Sequence, residues 1–232
     1  MSLYWLFLFC IVSYFIGNIN FAVIITRRAR LRDIRQMGSG NPGATNMLRQ
    51  YGFKLGILNF ILDVCKGVIP ALVGVIAFGG WNTPYGQIAL YACGLAAVLG
   101  HCFPVIYKFK GGKGVSSIVG VFMVANPLFT LGIIVVVGVY WAAFEYGAIS
   151  SIVLITFMVI VQGLGIDPDS YGSVAIVSML VGLYFFAIFT HRTNVKRLLS
   201  GKENHASLLR KLKRKKLECR QEIWKQEVTE SN

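Results

Sequence analysis

Long runs of apolar residues constrain this chain more than any other feature of its sequence. They occur in blocks of 17 or more, and hydrophobic residues make up 55% of the 232 positions, whereas charged residues make up only 14%. A soluble domain usually has about 25% charged residues. Runs of this length are typical of helices that cross the hydrocarbon core of a bilayer. The sequence therefore predicts an all-α polytopic membrane protein.

The basic residues are grouped between these blocks. Of the 23 Lys and Arg residues, seven lie in 27–54, three in 108–113 and twelve after residue 190, and only Lys66 lies elsewhere. The net charge of +13 could indicate nucleic acid as a partner. Basic residues that flank apolar blocks are, however, typical of cytoplasmic loops beside anionic lipid. We therefore expect membrane lipid as a partner and no nucleic acid.

The apolar blocks predict seven transmembrane segments, with the N-terminus outside and the C-terminus in the cytoplasm. The number depends on residues 115–144, which are either one long helix or two short ones broken at Asn126-Pro127. Proline disfavours helix at the preceding residue. The break also places the basic tail inside, as the positive-inside rule favours, whereas an unbroken helix would place it outside. The blocks lie at about 3–26, 53–79, 85–105, 115–144, 147–165 and 172–190.

We expect two parts in the chain. Residues 1–203 would form the integral membrane domain, and residues 204–232 a basic cytoplasmic tail. Scattered apolar positions in 205–228 fit a basic amphipathic helix on the membrane surface. A charged extension without fixed structure is the alternative.

The stretch GSGNPGATN at residues 38–46, closing on Arg49, is the first candidate for chemistry. Its three glycines permit close approach of the backbone to a ligand. Successive backbone N–H groups in such turns form concavities that bind anions. Arg49 adds a planar set of donors suited to phosphate. The alternative is a simple linker loop.

Two further polar clusters share the cytoplasmic face in the predicted topology. One runs from GHCFP at 100–104 to Lys108, Lys110 and Lys113, and the other from HRTN at 191–194 through Arg197 and Gly201 to Glu203. Basic residues beside spans have a topological explanation, but the glycines, asparagines and histidines do not. Basic groups and N–H donors on one face indicate an anion site, with phosphate as the expected ligand.

Several familiar sites are excluded by the sequence. Residues 111–114 are not a P-loop, because position 107 is Tyr and Lys113 is followed by Gly. No serine lies in a GxSxG motif. The three histidines lack paired carboxylates or thiolates, so no metal site is expected. None of them has an Asp five positions on, so the histidine–aspartate motif of the common glycerolipid acyltransferases is missing.

Asp63 and Lys66 are charged residues inside the second apolar block. Charges within a span are costly and often functional. Their spacing of three places them on one helical face, where they can neutralise each other. We interpret them as a structural pair that braces the loops; direct catalysis is the alternative.

The three polar clusters resemble the motifs of the bacterial acyl-phosphate-dependent glycerol-3-phosphate acyltransferases. GSGNPGATN with Arg49 resembles the first motif, and GHCFP with FKGGKG at 109–114 resembles the second. HRTNVKRL at 191–198, followed by Gly201 and Glu203, resembles the third, with Val195 where Ile is expected. Their order and spacing agree over about 38–203, and the family has seven spans. The resemblance does not extend to the tail.

The resemblance implies transfer of a fatty acyl group from acyl-phosphate to the 1-hydroxyl of glycerol 3-phosphate. The products would be lysophosphatidic acid and phosphate, in the bacterial cytoplasmic (inner) membrane and without a cofactor. The soluble enzyme that makes acyl-phosphate is an expected partner. A transporter or exchanger of phosphorylated solutes is the alternative, although such proteins usually carry internal repeats and more polar residues at mid-membrane depth.

The resemblance also implies roles for individual residues. Ser39 and the backbone of residues 40–43 would hold the head of acyl-phosphate, and Arg49 and Lys113 would bind phosphate. His101 is either a general base or a hydrogen-bonding brace, and Glu203 would brace a nearby arginine. The candidate catalytic residues are Ser39, Arg49, His101 and Lys113; the candidate substrate-binding residues are Gly40, Asn41, Gly43, Thr45, Asn46, Lys110, Gly111, Gly112, Arg192 and Asn194; and the candidate supporting residues are Asp63, Lys66 and Glu203.

Overall fold

The structure is a computed structural model that describes residues 3–144 and 147–200. The expected tail, the domain boundary at 203 and the candidate support Glu203 lie outside the described residues. Within these ranges the chain is helical, as predicted. Its α-helices are α1 (Leu3–Gly17), α2 (Phe21–Arg28), α3 (Ala44–Tyr51), α4 (Phe53–Ala77), α5 (Pro84–Cys102), α6 (Val115–Ala125), α7 (Pro127–Phe144), α8 (Gly147–Leu164), α9 (Ser173–Thr190) and α10 (Arg192–Leu199), with short 3₁₀ helices at Ile34–Gln36 and Val105–Tyr107.

The first apolar block forms one candidate span, Leu3–Arg28, but it contains two helices, and the sequence did not predict the break between them. The helix breaks between Gly17 and Phe21, where Asn18 Nδ2 donates to Tyr14 O at 2.7 Å. Asn20 then caps α2 by accepting from the backbone N–H of Val23 at 3.1 Å. Asparagine favours such local bonds to the backbone over a continuing helix.

The break at Asn126-Pro127 is present. Asn126 separates α6 from α7, and its Oδ1 accepts from the backbone N–H of Phe129 at 3.3 Å. Thr130 Oγ1 donates to Asn126 O at 2.7 Å and to Phe122 O at 2.9 Å, so this side chain of α7 bonds to backbone carbonyls on both sides of the break. Partners of this kind allow a helix to be interrupted at membrane depth.

Among the residues that the structure describes, six stretches are long and apolar enough to cross a membrane: Leu3–Arg28, Phe53–Ala77, Pro84–Tyr107, Pro127–Phe144, Gly147–Leu164 and Ser173–Thr190. Helix α6 has 11 residues, which gives about 16 Å of length against the roughly 30 Å of a hydrocarbon core. It lies in the protein interior, with Ile118, Val119, Val121 and Phe122 all buried. The seventh crossing, and with it the sides of the two termini, stays a prediction.

Glycines allow the helices around α6 to approach closely. A Cβ added to Gly67 in α4 would lie 2.0 Å from Ser117 O of α6, and one added to Gly120 in α6 would lie 2.1 Å from Val64 O of α4. Small residues at helix contacts are a main source of packing in membranes, where lipid is as apolar as the side chains. The contact fixes α4 against α6, two of the helices that surround the candidate site.

Candidate functional site

Asn46 organises the loop at residues 38–46. Its Nδ2 donates to Met37 O at 2.9 Å and to Asn41 O at 3.0 Å, and its Oδ1 accepts from the backbone N–H of Ser39 at 3.3 Å. Gly38 adopts a φ of 57°, and a Cβ there would lie 2.5 Å from Asn46 Oδ1. The loop is therefore held in one shape by a buried side chain, and a simple linker would not require this.

The second and third polar clusters meet at Lys113. Its Nζ donates to Asn194 Oδ1, and its backbone carbonyl accepts from Thr190 Oγ1 at 3.0 Å. Gly111 and Gly112 donate their backbone N–H groups to Cys102 O at 3.2 Å and His101 O at 3.1 Å. The chain after α5 thus folds back on the end of that helix and carries Lys113 to α10.

One cavity of about 400 Å³ lies between the three clusters and helices α4, α6, α7 and α8. The N-termini of α3 and α6 border it, since Gly43, Ala44, Gly114 and Val115 are among its lining residues. A helix N-terminus carries partial positive charge and unpaired N–H groups, and both favour an anion.

The residues that line the cavity fall into a polar set and an apolar set, which we call its polar end and its apolar end. Ser39, Asn41, Thr45, Asn46, Arg49, Lys113, His191, Asn194 and Arg197 line the polar end. Helix faces carrying Phe53, Ile57, Phe60, Val119, Ile134, Val137, Gly138, Trp141 and Leu154 line the apolar end. Among the described lining residues, three are cations, and the single carboxylate, Asp63, is ion-paired with Lys66. The charge of the lining therefore favours an anion with an apolar substituent.

The apolar end opens toward the outside of the helix bundle. Phe53 and Ile57 of α4 line the cavity, yet 67% and 42% of their surfaces are exposed. Gly138 of α7 also lines the cavity, and a Cβ added there would meet no heavy atom within 4 Å. An alkyl chain could thus pass between α4 and α7 from the lipid-facing surface to the polar end.

Lys66 of α4 contacts both α5 and the break between α1 and α2. Its Nζ lies 2.9 Å from Asp63 Oδ1 and 2.8 Å from His101 Nδ1, and it donates to Ile19 O at 2.7 Å in the break between α1 and α2. Asn59 Nδ2 donates to the other carboxylate oxygen of Asp63 at 2.9 Å. Breaking such a buried pair by removing one partner costs about 3–5 kcal/mol. The arrangement is what a bracing role requires.

His191 lies at the junction of α9 and α10 and lines the polar end. Its Nδ1–H donates to Ala187 O at 2.8 Å. Burial lowers its pKa to about 4; the Ala187 carbonyl opposes the shift, and Lys113 adds to it. His191 is therefore a neutral side chain near pH 7.

Most of the candidate residues predicted from the sequence line this cavity. They are Ser39, Asn41, Gly43, Thr45, Asn46, Arg49, Asp63, His101, Lys113 and Asn194. Others lie outside it. Lys110 is on the exposed surface, and Arg192 turns back to donate to Phe189 O at 3.0 Å and covers the Phe189 ring at 4.2 Å. Gly111 and Gly112 pack against His101 instead.

Sequence reasoning missed the apolar lining and two serines of α8, Ser150 and Ser151. No motif marks these positions. The helical spacing of Ile134, Val137, Gly138 and Trp141 gives one face of α7, but α7 is apolar all round, so the sequence offers no signal for the face that turns to the cavity. Within residues 3–144 and 147–200, no group of three or more His, Cys, Asp or Glu residues could hold a metal ion.

The fold is that of a multi-pass membrane protein, and the lining of its cavity favours an anionic, chain-bearing ligand. Residues 7–201 match the family model described as glycerol-3-phosphate acyltransferase. A glycerol-3-phosphate acyltransferase of Finegoldia magna is 37% identical over 204 residues, which are 88% of this chain and 98% of that protein. The chain belongs to the glycerol-3-phosphate acyltransferase family.

Two solved structures share the fold. One is the glycerol 3-phosphate form of PlsY (YgiH), an integral membrane glycerol 3-phosphate acyltransferase, with a TM-score of 0.77 and 33% identity over 89% of this chain and 98% of that one. The other is the lysophosphatidic acid form, with a TM-score of 0.74 and 34% identity over 86% and 94% of the two chains. The family resemblance expected from the motifs is confirmed.

Proposed function

We propose that this protein transfers a fatty acyl group from acyl-phosphate to the 1-hydroxyl of glycerol 3-phosphate, giving lysophosphatidic acid and inorganic phosphate. The observation that supports the proposal is one cavity whose lining combines Arg49, Lys113 and Arg197 with apolar faces of α4 and α7, where Phe53 and Ile57 are exposed. Both substrates are phosphates, and the donor also has an alkyl chain. The reaction would be the first acylation of phospholipid synthesis.

The polar end suits the placement of two phosphates side by side. Arg49, Lys113 and Arg197 supply positive charge, and the N-termini of α3 and α6 supply N–H donors. In the proposed reaction, the hydroxyl oxygen of glycerol 3-phosphate bonds to the acyl carbon, and the bond from that carbon to the phosphate oxygen breaks. The hydroxyl proton passes to a phosphate oxygen. Preorganised donors favour this step by stabilising the charge on the departing phosphate.

The same geometry supports the residue roles that we propose. Ser39 and the loop held by Asn46 would bind the head of acyl-phosphate, with Arg49 beside them. Lys113, held by Asn194, would bind phosphate between the two substrates. Lys110, which we expected to bind glycerol 3-phosphate, lies on the exposed surface. It would attract the phosphate substrates through its charge rather than by direct contact in the cavity.

We place the reaction at the cytoplasmic face of the bacterial inner membrane, where a soluble enzyme would deliver acyl-phosphate.

Purified protein in detergent tests the donor and the acceptor together. Acyl-phosphate and labelled glycerol 3-phosphate should give labelled lysophosphatidic acid, and acyl-CoA in place of acyl-phosphate should give none. A transporter of phosphorylated solutes would form no product in either mixture, because detergent leaves no two compartments. Product from acyl-CoA alone would contradict the proposed donor. Absence of product from acyl-phosphate with folded protein would contradict the proposed reaction.

A further inference from the structure

The hydrogen bonds of Lys66 determine which ring nitrogen of His101, a residue that lines the cavity, carries the proton. Lys66 lies on α4 with only 3% of its surface exposed, and its Nζ is within 2.9 Å of three acceptors: Asp63 Oδ1, Ile19 O and His101 Nδ1. A lysine ammonium has three protons to donate and no lone pair to accept with. Gly17 O is a fourth, more distant acceptor at 3.4 Å. Because the ammonium can only donate, the 2.8 Å contact between Lys66 Nζ and His101 Nδ1 requires Nδ1 to be the acceptor.

A neutral imidazole that accepts at Nδ1 carries its own proton on Nε2. His101 lines the cavity, and because its Nδ1 contacts Lys66, the Nε2–H edge is the ring edge left to donate to a ligand. That edge rests on Gly112, where an added Cβ would lie 2.1 Å from Nε2. The absence of a side chain at position 112 leaves room for the ring.

We propose that Lys66 is a positioning residue that holds His101 as the Nε2–H tautomer, so that His101 donates a hydrogen bond to an oxygen of the bound substrate. A nitrogen that already carries a proton cannot act as the general base. The sequence left His101 as either a general base or a hydrogen-bonding brace; we propose a hydrogen-bond donor in place of the base. The identity of the substrate oxygen rests on the proposed function; the tautomer does not.

His191 provides an internal reference because its contacts select the opposite tautomer. A backbone carbonyl only accepts, so the bond from Nδ1 to Ala187 O places the proton of His191 on Nδ1 and leaves Nε2 as the acceptor. The two histidines that line the cavity thus differ in the atom that carries the proton. An experiment that reads tautomers should separate them in one sample.

Nitrogen NMR of the full chain labelled with ¹⁵N-histidine, in detergent near pH 8 and without substrate, tests the tautomer directly. The resonances of His101 are identified by their loss in the variant His101→Gln, and those of His191 by their loss in His191→Gln. We expect Nε2–H for His101 and Nδ1–H for His191. A wild-type His101 with its proton on Nδ1 would overturn the proposal, and this reading needs no variant of Lys66 to fold.

The dependence on Lys66 is tested by removing the buried pair as a unit. The double variant Asp63→Asn, Lys66→Met leaves no unpaired buried charge, and it should shift His101 away from pure Nε2–H while His191 is unchanged. An unchanged His101 in the folded double variant would contradict the role of Lys66. Since no substrate is present, these readings stand or fall separately from the proposed reaction.

The turnover of two His101 variants distinguishes a hydrogen-bond donor from a general base or from a residue that only braces the loop. His101→Gln keeps an N–H donor, and we expect its kcat within about tenfold of wild type, whereas His101→Phe should lower kcat by about 100-fold with little change in KM. A general base would make both variants poor, by about 100-fold or more. Equal activity of the two variants, whether high or low, would overturn the proposed donor.

Discussion

The two ends of the cavity are built in different ways. The polar end consists of loops and helix N-termini, and its shape depends on specific hydrogen bonds such as those of Asn46 and Lys113. The apolar end consists of faces of long helices, where Phe53, Ile57 and Gly138 leave an opening between α4 and α7. Changes at the polar end should therefore act on every substrate alike, and changes at the apolar end should depend on the acyl chain.

The largest expected effect is at the polar end. Arg49→Ala removes one of the three cations that line the cavity among the described residues, and turnover should fall by about 100-fold or more for all acyl chain lengths. Initial rates of lysophosphatidic acid formation with short and long acyl-phosphates provide the measurement. Lys54→Ala is the matched control, because Lys54 is a nearby basic residue on the exposed surface of α4, and its loss should change the rate less than twofold. Similar losses in the two variants would contradict a specific role for Arg49.

A smaller and more selective effect is expected at the apolar end. Gly138→Leu places a side chain in the open space between α4 and α7, and KM for long-chain acyl-phosphate should rise about tenfold, which corresponds to losing roughly 1.4 kcal/mol of chain binding. KM for glycerol 3-phosphate should not change. KM values measured for a series of acyl chain lengths provide the test.

Gly132→Leu is the control for this prediction. Gly132 lies on the same helix, and a Cβ there also meets no heavy atom within 4 Å, but it is outside the cavity lining. It should leave every KM unchanged. If Gly132→Leu and Gly138→Leu behave alike, the chain does not pass between α4 and α7.

The smallest effect concerns stability. His191 has a folded-state pKa of about 4, below the usual 6.5, so its contribution is complete above pH 6.5 and is lost as the pH falls toward 4, where the unfolded chain binds a proton that the folded protein does not. By pH 5 the loss should be about 2 kcal/mol. Thermal unfolding at pH 7.5 and pH 5 should show a smaller drop in melting temperature for His191→Phe than for wild type. Equal drops would contradict the lowered pKa.

The same contrast explains how much the sequence could reveal. The polar end could be predicted from the sequence, because glycines, asparagines and basic residues in three clusters require an explanation beyond membrane crossing. Ten of the candidate residues line one cavity. The break at Asn126-Pro127 could also be predicted, because proline disfavours helix at the residue before it. These features depend on the chemistry of single residues at known positions.

The apolar end could not be predicted from the sequence. Helix α7 is apolar on all sides, so neither the cavity-facing position of Gly138 nor the opening beside Ile57 has a sequence signal. The break between α1 and α2 was missed because Asn18 and Asn20 lie within an apolar block that reads as continuous. The contact of Lys66 with His101 joins residues 35 positions apart, and only the packing of α4 against α5 brings them together.

The central claim is that one cavity holds the phosphate of the donor at its polar end and the acyl chain at its apolar end. An experimental structure with a non-hydrolysable acyl-phosphonate bound tests it most directly. The phosphonate should lie between Arg49 and Lys113, and the chain should run past Gly138 between α4 and α7. A phosphonate at another basic surface, such as Arg27 and Arg28, or a chain outside this opening, would contradict the claim.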